Sequence, residues 1–428
     1  MAKVKTVRPV GRFEGEFELP ADKSILHRAM MLHSVAEGEG RIFGGGMGED
    51  CLRTAACLRA LGAKISMEDG VTVVRGAERL NSGLTLGCGN SATTMRLLAG
   101  LLAGRGIDVC LTGDESLSRR PMERVAMPLR ELGARVETAA GLPPMWIRKS
   151  ELIGKEIRLN GASAQVKSAV MLAGLCAEGE TVISAVKRSR DHTERLLSQM
   201  GAEIAVAEGA IRVKKSCLRA IDVDVPADIS AAAYFMALGA LKGKTVCKNV
   251  GVNGTRTGIL DAFLRMGVCY RLENLRMVSG EERADIVVEK SPLRGIEIGG
   301  DEVASMIDEL PLIALTCALA EGESRIFGAN ELRIKESDRI AATAALINGL
   351  GGECVELEDG LLIRGKKTLI GGTVDSCSDH RIAMTAAVGL AVSRFGGGIV
   401  GGDCCRISFP DFFEKMEQKS GLTGAGIE

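Results

Sequence analysis

Six times along the chain, a polar or charged cap opens a nearly all-apolar, Ala-rich segment that runs to a glycine. The starts are Asp22-Lys23-Ser24, Asn90-Ser91, Ser163-Ala164-Gln165, Asp228-Ile229-Ser230, Ile307-Asp308-Glu309 and Ser378-Asp379-His380. The stops are expected near Glu37-Gly38, Gly104, Glu178-Gly179, Lys242-Gly243, Glu321-Gly322 and Phe395-Gly396. A cap at the start and a glycine at the end is helix punctuation. A helix apolar on every side has to be buried. Each segment is followed by a β-rich run, such as Arg41-Ile42-Phe43 or Thr181-Val182-Ile183, and in five cases by an amphipathic helix closing on a triplet such as Leu61-Gly62-Ala63 or Leu132-Gly133-Ala134. Strand pairs with turn residues come next, for example Lys64 to Val74 around Asp69-Gly70. The unit is helix–strand–helix–strand–strand, about 70 residues long, and its sixth copy lacks the final hairpin. Six units divide as three plus three, with a boundary near Val225-Pro226-Ala227-Asp228, and residues 1–20 add a strand or two before the first.

Composition narrows the function. A chain of 428 residues buries sizeable cores and suggests two or three domains. A formal net charge of −1 and 3% aromatics argue against a nucleic-acid stripe or stacking platform, so an anionic ligand has to meet locally focused cations. The 13 cysteines form no C-x-x-C pair and read as free thiols of a reducing compartment. No apolar run reaches 18 residues and the first residues show no signal-peptide core, so the expectation is a cytoplasmic protein without a membrane partner. With four histidines and no H-E-x-x-H, Walker A or clustered ligand motif, neither a metal nor a cofactor is expected.

The helix starts carry the chemistry. In Gly87-Cys88-Gly89-Asn90-Ser91-Ala92-Thr93-Thr94-Met95-Arg96, glycines precede a helix whose unpaired N–H groups and dipole favour an anion. Gly87, Gly89 and Ala92, with Asp108 further on, also satisfy a dinucleotide fingerprint, which leaves an oxidoreductase as a distant alternative. The sixfold repeat weakens it, because a Rossmann domain has one phosphate loop. Lys23, Ser24 and Arg28 put cations at a positive dipole end, where a merely structural role would disfavour them. Arg119-Arg120 suits carboxylate or phosphate capture. Ser163-Ala164-Gln165-Val166-Lys167-Ser168 and Ser189-Arg190-Asp191-His192 offer further donors, with His192 read as structural or capping. Asp308 is either a helix cap or an acid, and Glu331 to Arg339 is expected to place Lys335, Glu336 and Arg339 within one helical turn. Ser378-Asp379-His380-Arg381 adds another arginine.

These motifs, in this order, resemble the 5-enolpyruvylshikimate-3-phosphate (EPSP) synthases along nearly the whole chain: Asp22-Lys23-Ser24 with Arg28, Gly89 to Leu98, Arg120-Pro121-Met122, Ser163-Ala164-Gln165, Leu332 to Arg339, and Asp379-His380-Arg381. The resemblance implies an α/β fold of two inside-out domains of three units each, the enolpyruvyl transferase fold, with one domain from residues 1–20 plus 227–428, the other from 21–226, and the active site in the cleft between them. It implies transfer of the enolpyruvyl group of phosphoenolpyruvate to the 5-hydroxyl of shikimate 3-phosphate, with release of phosphate, through a tetrahedral intermediate. Carried over motif by motif, Lys23, Ser24, Arg28, Ser163, Ala164, Gln165, Ser189, Arg190, Asp308 and Lys335 would contact shikimate 3-phosphate. Lys23, Asn90, Ala92, Thr93, Arg120, Gln165, Glu336, Arg339 and Arg381 would hold phosphoenolpyruvate. Asp308 would act as base on the 5-hydroxyl, and Glu336, aided by Lys23, would move the proton at the methylene carbon. The resemblance brings no cofactor, metal, nucleic-acid or membrane partner, and a monomer is expected.

Two departures stand out. Ala92 occupies a position where many members carry glycine, which predicts a glyphosate-insensitive type because the added methyl lies beside the phosphoenolpyruvate pocket. Near the C-terminal Phe-Pro, Arg406-Ile407-Ser408-Phe409-Pro410 lacks the lysine many members have. The nearest rival, UDP-N-acetylglucosamine enolpyruvyl transferase, places a cysteine in the loop before Arg-Pro, and Gly113 to Arg120 has none.

Overall fold

The computed structural model describes residues 3–419. Its helices, in chain order, are α1 (Lys23–His33), α2 (Glu49–Ala60), α3 (Ala92–Arg105), α4 (Glu123–Glu131), α5 (Ala164–Gly174), α6 (His192–Gln199), α7 (Ile229–Lys242), α8 (Gly258–Met266), α9 (Leu310–Cys317), α10 (Arg339–Gly349), α11 (His380–Val392) and α12 (Phe412–Lys419). None is long and apolar enough to cross a membrane.

The apolar helices of the repeat are α1, α3, α5, α7, α9 and α11. Asp22, Ser91, Ser163, Asp228 and Asp379 cap five of them, each side chain accepting from a backbone N–H of the first turn. α9 differs: its N-cap is Glu309 without a side-chain bond, so Asp308 is not a cap. Every residue of α11 is buried, as an all-apolar surface requires. Helices α1, α3 and α5 supply one hydrophobic core, α7, α9 and α11 a second.

Helices α1, α5, α9 and α11 end about a turn before the glycines expected to stop them. After α1, Val35 and Ala36 bond the carbonyls three residues back, and Gly38 then turns at φ +94° into the strand Glu39–Phe43. The same tightening precedes Gly179 and Gly322. α3 runs past Gly104 to Gly106, whose left-handed φ of +60° ends it. Gly104 and Gly100 serve packing instead. A Cβ on Gly100 would lie 2.1 Å from the Ala169 carbonyl oxygen, so only glycine lets α3 and α5 approach this closely.

Among the described residues, six small sheets stand around the apolar helices, five of four strands and one of three. In the second, Leu84–Gly87 runs parallel to Val109–Thr112, which pairs antiparallel with Leu142–Arg148, itself the return strand of a hairpin from Arg135–Ala139. The unit therefore has a leading strand that the helix–strand–helix–strand–strand reading left out. Helices inside and sheets outside make the arrangement an inside-out α/β fold.

The termini complete the repeats. The sixth sheet has no hairpin, and Val4–Val7 pairs antiparallel with Gly397–Val400 where a hairpin strand stands elsewhere. Phe13–Phe17 is the leading strand beside Gly243–Gly251, and Val223–Asp224 leads Glu39–Phe43. Each of these leading strands pairs in the sheet of a repeat that is not the next one in sequence. This is why the chain divides into residues 1–20, 226–277 and 282–428 as one compact unit and 21–225 with 278–281 as the other. Pro226, and the turn 278–281 of the hairpin Cys269–Val278/Glu281–Glu289, thus fall on the other side of the division from the sequence boundaries. All 13 cysteines are free thiols.

Candidate active site

In the 21–225 unit, α1 opens with Lys23, whose Nζ lies 3.0 Å from Asp50 Oδ2 in the first turn of α2. The carboxylate offsets a cation that the helix dipole disfavours. One turn on, Arg28 is buried and spread over three elements. It donates from Nε to Thr193 Oγ1 at 2.7 Å, from Nη2 to Ser168 Oγ at 3.0 Å, and to the Ser24 carbonyl at 2.8 Å. Arg190, in the loop before α6, donates to Ser24 Oγ at 3.1 Å. Behind them Lys167 and Glu194 form a buried pair at 2.5 Å. Lys23, Ser24, Arg28 and Arg190 are thus brought together by α1 and the start of α6. Ser163 caps α5, Ala164 is its first residue, and Ser189 is buried just before Arg190.

Gln165 is joined to the start of α3. Its Oε1 accepts from Arg96 Nη1 at 2.6 Å, and its Nε2 donates to Thr93 Oγ1 at 2.9 Å. Asn90, in the loop before α3, accepts from Arg120 Nη2 at 2.7 Å and donates to Asp114 Oδ2 at 3.1 Å. Ala92 is the first residue of α3 and buried. The adjacent arginines separate: Arg119 pairs with Glu115 on the surface, while Arg120 is buried. His192 opens α6 and meets Glu281 at 2.7 Å, a buried structural contact in keeping with its reading.

The 226–428 unit holds the acids around one guanidinium. Arg339 is 1% exposed. Its Nη1 donates to Asp308 Oδ1 at 3.1 Å, its Nη2 to Glu336 Oε2 at 2.6 Å, and its Nε to Asp379 Oδ2 at 2.8 Å, with Nη2 also 3.2 Å from Asp379 Oδ1. An arginine has five N–H donors. Four are committed here. Burial opposes the charge of Arg339, yet Asp379, Glu336 and Asp308 outweigh it and raise its pKa further.

The expected single helical turn from Lys335 to Arg339 does not form. A short 3-10 helix, Asn330–Ile334, ends before it, and α10 starts at Arg339 with Asp338 as N-cap. Asp338 accepts from two first-turn N–H groups, which fixes the helix start there. Glu336 reaches Arg339 from the loop. The solvated ion pairs of this segment belong to Arg333, with Asp338 and Glu356. Burial lowers the Lys335 ammonium against the pull of Asp308.

Arg381, on the first turn of α11, is buried, and its Nε lacks a partner among the described residues. Burial works against its charge, but Tyr234, Asp308, Asp228 and Glu309 outweigh it. Asp228, Ser230, Glu309 and Arg256 form a further buried network beside it. Arg406 is exposed in the 3-10 helix Gly402–Ile407.

Sequence reasoning missed Asp50, Arg96, Asp114, Asp379, Arg256 and Glu309 as organisers of these groups. Three had a signal: Asp379 in the Asp379-His380-Arg381 motif, Arg96 in the Gly89 to Leu98 motif, and Glu309 at the helix start Ile307-Asp308-Glu309. The dinucleotide reading fails on the fold, since Leu84–Gly87 leads a four-stranded mixed sheet and Asp108 accepts from the Lys149 backbone.

The inside-out repeat with polar helix starts defines the enolpyruvyl transferase fold. The structure of the enolpyruvyl transferase NikO from Streptomyces tendae matches it with a TM-score of 0.80 at 17% identity, over 100% of this chain and 99% of that one. Within that fold, the chain belongs to the EPSP synthase (3-phosphoshikimate 1-carboxyvinyltransferase) family, whose profile matches residues 7–416. It is 43% identical over 420 residues to a 3-phosphoshikimate 1-carboxyvinyltransferase of Desulfitobacterium hafniense, covering 96% of this chain and 97% of that one. The EPSP synthase structure from Acinetobacter baumannii matches with a TM-score of 0.86 at 38% identity, over 100% and 99% of the two chains.

Proposed function

We propose that the chain catalyses the reaction of its family, transfer of the enolpyruvyl group of phosphoenolpyruvate to the 5-hydroxyl of shikimate 3-phosphate. C3 of phosphoenolpyruvate takes a proton while the 5-hydroxyl oxygen bonds to C2, giving a tetrahedral adduct. C3 then returns a proton, the C2–O bond to phosphate breaks, and phosphate leaves with its electron pair. Both side-chain clusters serve this one reaction. Lys23, Ser24, Arg28, Ser163, Ala164, Gln165, Ser189 and Arg190 hold shikimate 3-phosphate together with Asp308 and Lys335. Asn90, Ala92, Thr93, Arg120 and Gln165 hold phosphoenolpyruvate with Lys23, Glu336, Arg339 and Arg381. Asp308 takes the hydroxyl proton, and Glu336, with Lys23, handles the proton at C3.

The observation that carries this assignment is the guanidinium of Arg339. Its Nη1 holds Asp308 and its Nη2 holds Glu336, two acids on one group, which supports two separate proton transfers. Buried Arg381, whose Nε–H has no partner among the described residues, supports anion binding beside them. The test is phosphate release on mixing the two substrates. Release with UDP-N-acetylglucosamine in place of shikimate 3-phosphate, or none, would overturn the proposal.

The methyl of Ala92, at the first position of α3, supports low sensitivity to glyphosate, which is longer than phosphoenolpyruvate. Ala92→Gly is expected to lower the inhibitory glyphosate concentration by tenfold or more, since one methylene-sized clash is worth about 1–3 kcal/mol. Equal inhibition of both proteins would refute it. The free cysteines support a cytoplasmic location. The enzyme is proposed to work as a monomer, which light scattering at assay concentration checks.

A further inference from the structure

Two rungs tie α1 to α2. The outer rung is Lys23 Nζ to Asp50 Oδ2 at 3.0 Å. Four residues further along each helix, about 6 Å by the helical rise, His27 Nδ1 meets Thr54 Oγ1 at 2.6 Å. The inner rung continues across to α3. Thr54 Oγ1 lies 2.7 Å from Thr94 Oγ1, and Thr94 Oγ1 donates at 2.8 Å to Ser91 Oγ, the N-cap of α3. All four residues are buried.

The chain has a fixed direction, because each hydroxyl owns one proton. The Thr94 proton goes to Ser91, so Thr94 Oγ1 accepts from Thr54. The Thr54 proton is then spent, and Thr54 Oγ1 accepts from His27 Nδ1–H. His27 is therefore the Nδ1–H tautomer, and its buried Nε2 has no partner among the described residues. Burial, with Lys23 and Arg28 adding repulsion, keeps the ring neutral.

We propose that His27, Thr54 and Thr94 are positioning residues, a neutral relay that fixes the start of α3, with Asn90, Ala92 and Thr93, against the start of α1, with Lys23 and Arg28. This rests on the reading that these two helix starts hold the two substrates. A protonated imidazole in the same place would repel Lys23 and Arg28, whereas hydroxyls and a neutral imidazole fix distance and direction without adding charge.

Three substitutions test it. Thr54→Val keeps the shape and removes the hydroxyl. Thr94→Val cuts the relay but keeps the Thr94 N–H on the Ser91 cap. Thr54→Ser keeps the hydroxyl and loses the methyl. Displacing the α3 start is expected to raise KM for phosphoenolpyruvate about tenfold in both valine variants, with KM for shikimate 3-phosphate changed less and Thr54→Ser within twofold of the parent. Equal constants for Thr54→Ser and Thr54→Val would overturn the proposal. So would valine variants with parental KM and a lowered unfolding midpoint. If Thr54→Val does not fold, Thr94→Val decides. Hydrogen exchange at the Thr94 and Met95 amides, both bonded to Ser91, is measured without substrate and should be faster in the valine variants. Unchanged exchange refutes the relay, while a parent protein that releases no phosphate refutes the reaction.

Discussion

Glu336→Gln separates a proton-transfer role from a placing role. In the parent, Glu336 Oε2 accepts from Arg339 Nη2 at 2.6 Å and shares that guanidinium with Asp308 and Asp379. Glutamine has the same length and keeps a carbonyl oxygen for the bond. Changing a charged acceptor to a neutral one costs about 1 kcal/mol, and removing one of three clustered negative charges offsets part of it. The unfolding midpoint should therefore move by no more than a few degrees. Turnover should change far more. A positioned acid or base supplies roughly 10²–10⁴-fold, or about 3–5 kcal/mol of barrier. Glutamine cannot exchange a proton with C3, so kcat for phosphate release at saturating substrates should fall by that factor, with KM for both substrates within about threefold. The assay is continuous phosphate detection with thermal unfolding in parallel. A kcat within tenfold of the parent would refute Glu336 as the group that moves the C3 proton. A large fall accompanied by a collapse of the unfolding midpoint would refute the claim that glutamine preserves the Arg339 hub.

Three further outcomes follow from the packing and the charges. Gly100→Ala forces a Cβ to 2.1 Å from the Ala169 oxygen, whereas at Gly104 the nearest approach is 3.2 Å; Gly100→Ala should cost about 3 kcal/mol or more in denaturant unfolding and Gly104→Ala clearly less, and the reverse order would refute the close-approach argument. Lys167→Met strands the buried Glu194 carboxylate and should cost about 3–5 kcal/mol, with Glu194→Met added recovering most of it; a single-variant cost below about 1 kcal/mol would show the pair is not desolvated. His27 is held neutral in the fold, well below the usual value, while the unfolded chain protonates it near pH 6.5. The unfolded state therefore binds more protons below that pH, and stability is lost as pH falls from 6.5, by at most about 1.4 kcal/mol per pH unit. His27→Gln should flatten the curve between pH 6.5 and 5.5, and equal slopes would refute it.

Much of the candidate site was legible because its residues sit at helix starts. A cap, an apolar run and a polar or charged residue at the start are local patterns, and they singled out Lys23, Arg28, Gln165, Asp308 and Arg381 as candidates without coordinates. The loop before α10 was harder. Lys335 to Arg339 has helical composition, but Asp338 caps the next helix and breaks the turn there. Which of two adjacent arginines is buried was also unreadable. Arg120 goes inward because Asn90 and Ser116 receive it, and Arg119 stays with Glu115 in solvent. Asp50 and Asp114 look like ordinary surface acids in the sequence, since nothing local says which cation each will meet.

By itself the sequence determined the sixfold repeat, the buried character of one helix per unit and the set of polar groups at each start, because periodicity and capping act over a few residues. Only the tertiary structure decided which sheets borrow Val4–Val7, Phe13–Phe17 and Val223–Asp224, and that one guanidinium, Arg339, gathers three carboxylates from 31 residues before it to 40 after it. Those pairings join residues far apart in the chain, and the unmet edge of a strand or the charge of a buried side chain selects its partner only once the core has closed around it.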